Sequence, residues 1–81
     1  MRTYYRGTNN PHEPNIIASG NIRISMNLLD GIKEAGLSVS DEVGNLFDRF
    51  SIVCKVTGDP LKDVGSDGET LLDVNTVRLI L

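Results

Sequence analysis

Asp41-Glu42-Val43-Gly44-Asn45-Leu46-Phe47-Asp48-Arg49-Phe50-Ser51-Ile52-Val53-Cys54-Lys55-Val56-Thr57 is the stretch on which the fold turns. Val43, Leu46, Phe47 and Phe50 recur at helical spacing and predict one apolar helix face. Ser40 or Asp41 can cap that helix, and Asp41 and Glu42 put negative charge at its positive dipole end. From Ser51 the period changes to two: Ile52, Cys54 and Val56 alternate with Val53 and Lys55, as in a strand. A helix followed directly by a strand points to an α+β chain.

Working outward, Thr3 to Gly7 is short and aromatic. It reads as a strand with Tyr4 and Arg6 on one face and Thr3 and Tyr5 on the other. Thr8 to Asn15 has loop chemistry (Asn9-Asn10-Pro11, then Pro14), and Ile16-Ile17-Ala18 before Ser19-Gly20 reads as a short helical turn closed by glycine. Asn21 to Ser25 suggests a short strand with Ile22 and Ile24 on one side. Leu28, Ile32 and Ala35 suggest a helix stopped at Gly36, against the cost of Gly31 inside it. Leu37 to Ser40 is extended in character. Gly58 to Gly68 reads as a loop, and Val74 to Leu81 as a closing strand. The expected fold is therefore a single α+β domain over 1–81, with mostly antiparallel short strands and two short helices. Its expected core is Ile16, Ile22, Leu28, Ile32, Val43, Leu46, Phe47, Ile52, Cys54, Val56, Leu72, Val77 and Leu79.

Composition narrows the functional classes. At 81 residues the chain supports one core, and a domain this small buries only about 60% of its unfolded surface. Its net charge is −3 and its eight Lys and Arg residues are scattered, so no basic stripe suggests nucleic acid. Cys54 is the only cysteine; no internal disulfide forms, and it reads as a small buried hydrophobe. No segment has the pattern of a signal peptide or the length of a membrane span, so a cytoplasmic protein is expected. His12, between prolines, reads as a solvated loop residue. Asp63 to Gly68 lacks the ligands of a calcium loop, with glycine at Gly65 and Val74 where a bidentate Glu is needed. Gly65-Ser66-Asp67-Gly68 is neither a dinucleotide fingerprint nor a phosphate loop. No metal is expected.

Three groups of residues remain, in a fixed order: Tyr4-Tyr5-Arg6-Gly7-Thr8; then Gly36-Leu37-Ser38-Val39-Ser40, preceded by Asn15-Ile16-Ile17-Ala18-Ser19-Gly20-Asn21-Ile22; then Gly65-Ser66-Asp67-Gly68-Glu69-Thr70-Leu71-Leu72, entered from the strand around Ile52 to Val56. The order resembles the Arg–Ser–Glu class of the ADP-ribosyltransferase superfamily, across nearly the whole chain. The resemblance implies an NAD-consuming mono-ADP-ribosyltransferase or NAD glycohydrolase, with NAD as substrate. It implies Glu69, Arg6 and Ser38 as catalytic residues and Tyr5, Arg6, Gly7, Ser38 and Ser40 as the NAD-binding set. A carboxylate beside the ribose suits an oxocarbenium-like transition state, and an arginine fork suits phosphate or ribose oxygens.

Two positions depart from the family pattern. Val39 stands where the family has its central Thr, and Asp67, at the acceptor-selecting position, is one methylene shorter than the usual Glu or Gln. Hydrolysis of NAD therefore stands beside transfer to a macromolecular acceptor. Two alternatives use the same sequence differently: a non-catalytic inhibitor or regulator that binds a target protein, of the kind found in phages and mobile elements, or an inactive domain that binds a nucleotide-like ligand. Neither nucleic acid nor membrane is expected as a partner.

Overall fold

A computed structural model describes residues 2–62 and 69–80. In chain order the elements are β1 (Thr3–Thr8), α1 (Glu13–Ser19), a 3-10 turn (Met26–Leu28), β2 (Ile32–Lys33), β3 (Gly36–Ser40), α2 (Leu46–Arg49), β4 (Ile52–Thr57), β5 (Pro60–Lys62), β6 (Glu69–Asp73) and β7 (Arg78–Leu79). The strands form one sheet in the order β5-β6-β3-β1-β4-β7, with β2 also paired to β3. Every described pairing is antiparallel. The α+β class is thus as expected: a small domain of antiparallel strands with two helices.

Alternation along the strands sorts side chains onto two faces. Tyr4, Leu37, Val39, Val56 and Leu72 turn inward, where Ile17 of α1, Ile22, Leu29, Val74 and Val77 complete the core. The opposite face carries Tyr5 and Gly7 of β1, Ser38 and Ser40 of β3, and Glu69 of β6; the register pairs Tyr5 with Ser40 and Ser40 with Glu69. α1 has Pro14 in its first turn and ends at Gly20, whose φ of 75° closes the helix in the left-handed region.

The core also contains charge. Arg6 and Glu13 are 6% and 0% exposed, and Arg6 Nε lies 2.6 Å from Glu13 Oε1. The other carboxylate oxygen, Oε2, accepts from Thr8 Oγ1 at 2.5 Å. The remaining guanidinium nitrogens donate to main-chain carbonyls: Nη1 to Ser38 at 3.0 Å, and Nη2 to Asp30. No buried side-chain nitrogen or oxygen among the described residues lacks a partner, which is the condition for a buried ion pair to be tolerated. Gly31 completes the arrangement. Its φ is 78°, and a Cβ there would stand 2.7 Å from Arg6 Nη1.

Several sequence expectations need correction. No helix spans Leu28 to Ala35; that segment is a 3-10 turn followed by the β2–β3 hairpin. Gly31, Glu34 and Ala35 all have positive φ, a conformation no right-handed helix contains. Leu28 is consequently 61% exposed, and Leu29 takes the core position. Asn21 to Ser25 is turn rather than strand, with Ser25 N–H donating to the carbonyls of Asn21 and Ile22; Ile22 is buried while Ile24 is exposed.

The long helix expected from Asp41 is reduced to the single turn of α2. Gly44 is left-handed at φ 48°. Ser40 Oγ also forms a local turn with Glu42 instead of capping a helix, accepting its N–H at 3.3 Å and donating to its carbonyl at 2.8 Å. Leu46 is buried as expected, but Phe47 is 68% exposed. β5 and β6 lie where a loop and its exit were read, and the closing strand shrinks to β7 after a turn at Val74–Thr76. Ile16, Ile32, Cys54 and Leu79 are half-buried against the core.

Two substitutions test this account by urea denaturation. Glu13→Ala, which strands a buried guanidinium, should cost about 3–5 kcal/mol. Phe47→Ser should change stability by less than about 0.5 kcal/mol, as at other exposed positions. A large loss at Phe47 with none at Glu13 would contradict the packing described.

Candidate functional site

The sheet face opposite the core is hollowed into a cleft of about 640 Å³, within the roughly 300–1,000 Å³ of small-molecule sites. β1, β3 and the first residue of β6 form its floor, and the segment from Asp41 to Phe50 forms one wall. A smaller hollow of about 200 Å³ adjoins it and shares Arg6, Gly7, Ser38 and Phe50.

The Phe50 ring rests directly on Gly7. A Cβ at Gly7 would fall 2.2 Å from Phe50 Cδ2, so the absence of a side chain there is what lets the aromatic wall close onto the strand. The Arg49 guanidinium carbon lies 5.3 Å from the Phe50 ring centroid, within cation–π range.

Ser38 and Glu69 meet on the floor. They are on adjacent antiparallel strands and the same face, with Ser38 one step of two from Ser40, the residue opposite Glu69. Ser38 Oγ donates a hydrogen bond to Glu69 Oε1, while Lys33 Nζ stands 3.5 Å from Oε2. Lys33 reaches this position from the β2–β3 hairpin, where it pairs with Gly36. The Glu69 carboxyl is held below its ordinary range. The Ser38 hydrogen bond is the main cause; burial opposes it, and Lys33, by charge and hydrogen bond, and then the charge of Arg6 reinforce it. The carboxylate is ionised at neutral pH.

Tyr5, Arg6, Gly7, Ser38, Ser40 and Glu69 all line the cleft. Asp67 lies outside the described residues. Arg6 differs from the others: it belongs to the core face, and three of its five N–H groups are accepted by Glu13, Ser38 and Asp30. Glu13, Lys33, Arg49 and Phe50 were not identified from sequence. Phe50 was assigned to the apolar face of a helix, and the contacts of Lys33 and Glu13 depend on pairings distant in the chain.

Cys54 sits half-buried against the core, and its thiol is pushed up chiefly by burial, with Glu13 adding to the effect. The raised pKa keeps the thiol protonated at neutral pH, as suits a packing residue. Among the described residues, no group of three or more His, Cys, Asp or Glu could hold a metal ion, and no helix is long and apolar enough to cross a membrane. Comparison with protein-family models, with curated proteins and with solved structures finds no match for this chain.

The Ser38–Glu69 bond has a titration consequence. A carboxylate whose folded pKa is depressed contributes stability above its unfolded pKa, and that stability is lost as pH falls through the folded value. Ser38→Ala should move the Glu69 pKa up toward the ordinary carboxylate range, seen by NMR titration of its side-chain carboxyl carbon. The acid unfolding of the variant should begin at higher pH. An unchanged Glu69 titration would mean that the hydroxyl does not hold the carboxylate.

Proposed function

We propose that the cleft binds NAD and breaks the bond between its nicotinamide and ribose, as a miniature ADP-ribosyltransferase-like domain acting on a macromolecular acceptor or on water. The observation that carries this reading is the ionised Glu69 carboxylate, oriented by the Ser38 hydroxyl on the floor of a cleft of suitable size. The motif order in the sequence supports it independently.

The chemistry needs little more than a placed negative charge. As the C1′–N bond lengthens, its electron pair leaves with neutral nicotinamide and the ribose acquires oxocarbenium character. Glu69 stabilises that positive charge across the floor of the cleft and accepts a ribose hydroxyl. In hydrolysis, a water oxygen then bonds to C1′ and releases its proton to solvent, giving ADP-ribose. In transfer, a nucleophilic oxygen or nitrogen of the acceptor takes that place. Ser38 acts by fixing the carboxylate, a carboxylate already positioned before substrate arrives being worth more than one that must reorient.

A second reading, favoured by the commitment of Arg6 to internal partners, keeps the cleft as an NAD-binding shell without turnover. Nicotinamide release by the purified protein separates the two. Wild type should release nicotinamide, and Glu69→Gln should lower the rate by about 100-fold or more while still binding NAD. NAD bound without release would select the binding shell, and no NAD binding would overturn both readings.

A further inference from the structure

Arg6 is the arginine the sequence offers for the phosphates of a dinucleotide, yet it is nearly inaccessible. It is 6% exposed, and its contact with Glu13 is part of the core. Turning it outward would strand a carboxylate that is 0% exposed. The phosphates of a ligand in this cleft therefore need another cation.

Among the described residues, two exposed cations line the cleft, Lys33 and Arg49. Arg49 lies over Phe50 on the wall. Lys33 lies beside the proposed catalytic carboxylate. Glu69 has two oxygens: Oε1 accepts from Ser38, and Oε2 faces Lys33. Oε1 already holds the Ser38 hydroxyl, so Oε2, where among the described residues only the Lys33 ammonium stands at 3.5 Å, is the freer oxygen for a ribose hydroxyl. The Lys33 side chain is 60% exposed, and such an ion pair exchanges at little cost. Lysine also suits exchange. Its ammonium is a mobile point charge with three donors on a flexible stem, whereas pairing with Gly36 in the hairpin holds its main chain still.

We propose that Lys33, rather than Arg6, meets the phosphates: it clasps Oε2 of Glu69 in the free protein, then yields that oxygen to a ribose hydroxyl as it moves onto the pyrophosphate. This rests on the reading of the cleft as an NAD site.

Calorimetric titration with NAD and, separately, with inorganic pyrophosphate tests the proposal on wild type, Lys33→Met, Lys33→Arg and Arg49→Met, with unfolding midpoints measured for each. Lys33→Met should weaken both ligands by about tenfold, the effect of losing one charged hydrogen bond, at an unchanged midpoint. Lys33→Arg should retain most of the affinity. Wild-type affinity in Lys33→Met, or a loss that follows Arg49→Met instead, would overturn the proposal while leaving NAD binding intact. Pyrophosphate binding that depends on Lys33, without NAD binding, would keep the anion site and remove the dinucleotide reading. Binding of neither ligand to wild type would remove both.

Discussion

The buried pair between Arg6 and Glu13 is the contact on which the rest of the molecule depends. β3 is shared at one edge by two neighbours: β2 pairs with its first residues, Gly36 and Leu37, and β1 meets it at Ser40. Between them, on that edge and among the described residues, Ser38 has no strand partner, although β6 pairs with it on the other edge. Its N–H goes to the Gly31 carbonyl at 3.0 Å and its carbonyl to Arg6 Nη1 at 3.0 Å. One guanidinium thus replaces a missing piece of ladder, joins β1 to the segment before β2 through Asp30, and joins both to α1 through Glu13. Buried main-chain groups left unpaired would be costly. In a domain with so small a core, that cost would be a large part of the total stability.

The same contact reaches the cleft. Ser38 is held through its main chain by Arg6 and Gly31, and through its hydroxyl it holds Glu69, which Lys33 engages from the other side. A continuous chain of hydrogen bonds and ion pairs runs from the 0%-exposed Glu13 to the mouth of the cleft. The carboxylate therefore stands on a floor that cannot shift without disturbing the core, the arrangement that precise positioning of a charged group requires. Arg6 contributes to the site as a support behind the floor, by its geometry and by its charge.

The legible parts of the fold were those where one local signal had no competitor. Alternation identified β4 and β1, and Ile16 to Gly20 announced the helix end that Gly20 closes. The misread parts were those where glycine overrode apolar spacing. Val43, Leu46, Phe47 and Phe50 do fall on one helical face, but Gly44 breaks the helix before that face forms. Phe50 then turns onto Gly7, while Phe47 points to solvent. Leu28, Ile32 and Ala35 show the same conflict around Gly31. β6 went unread because its burial comes from β3 on one side and β5 on the other, neighbours that its own short sequence does not specify.

The sequence by itself determined the class of the domain, the strands that bear Arg6, Ser38 and Ser40, and the residue types assembled at the cleft. Those depend on local period and composition, which a single chain displays openly. Only the tertiary structure decided which face each residue serves. Strand parity separates Arg6 from Tyr5 and Gly7, but that Arg6 belongs to the core follows from Glu13 arriving on α1. Likewise, Ser38 reaches Glu69 because β3 pairs with β6 in a register that brings them together, and Lys33 joins them because the hairpin folds back beside that pair. Long-range register and the partnering of buried charge are properties of the assembled sheet, and no spacing along the chain encodes them alone.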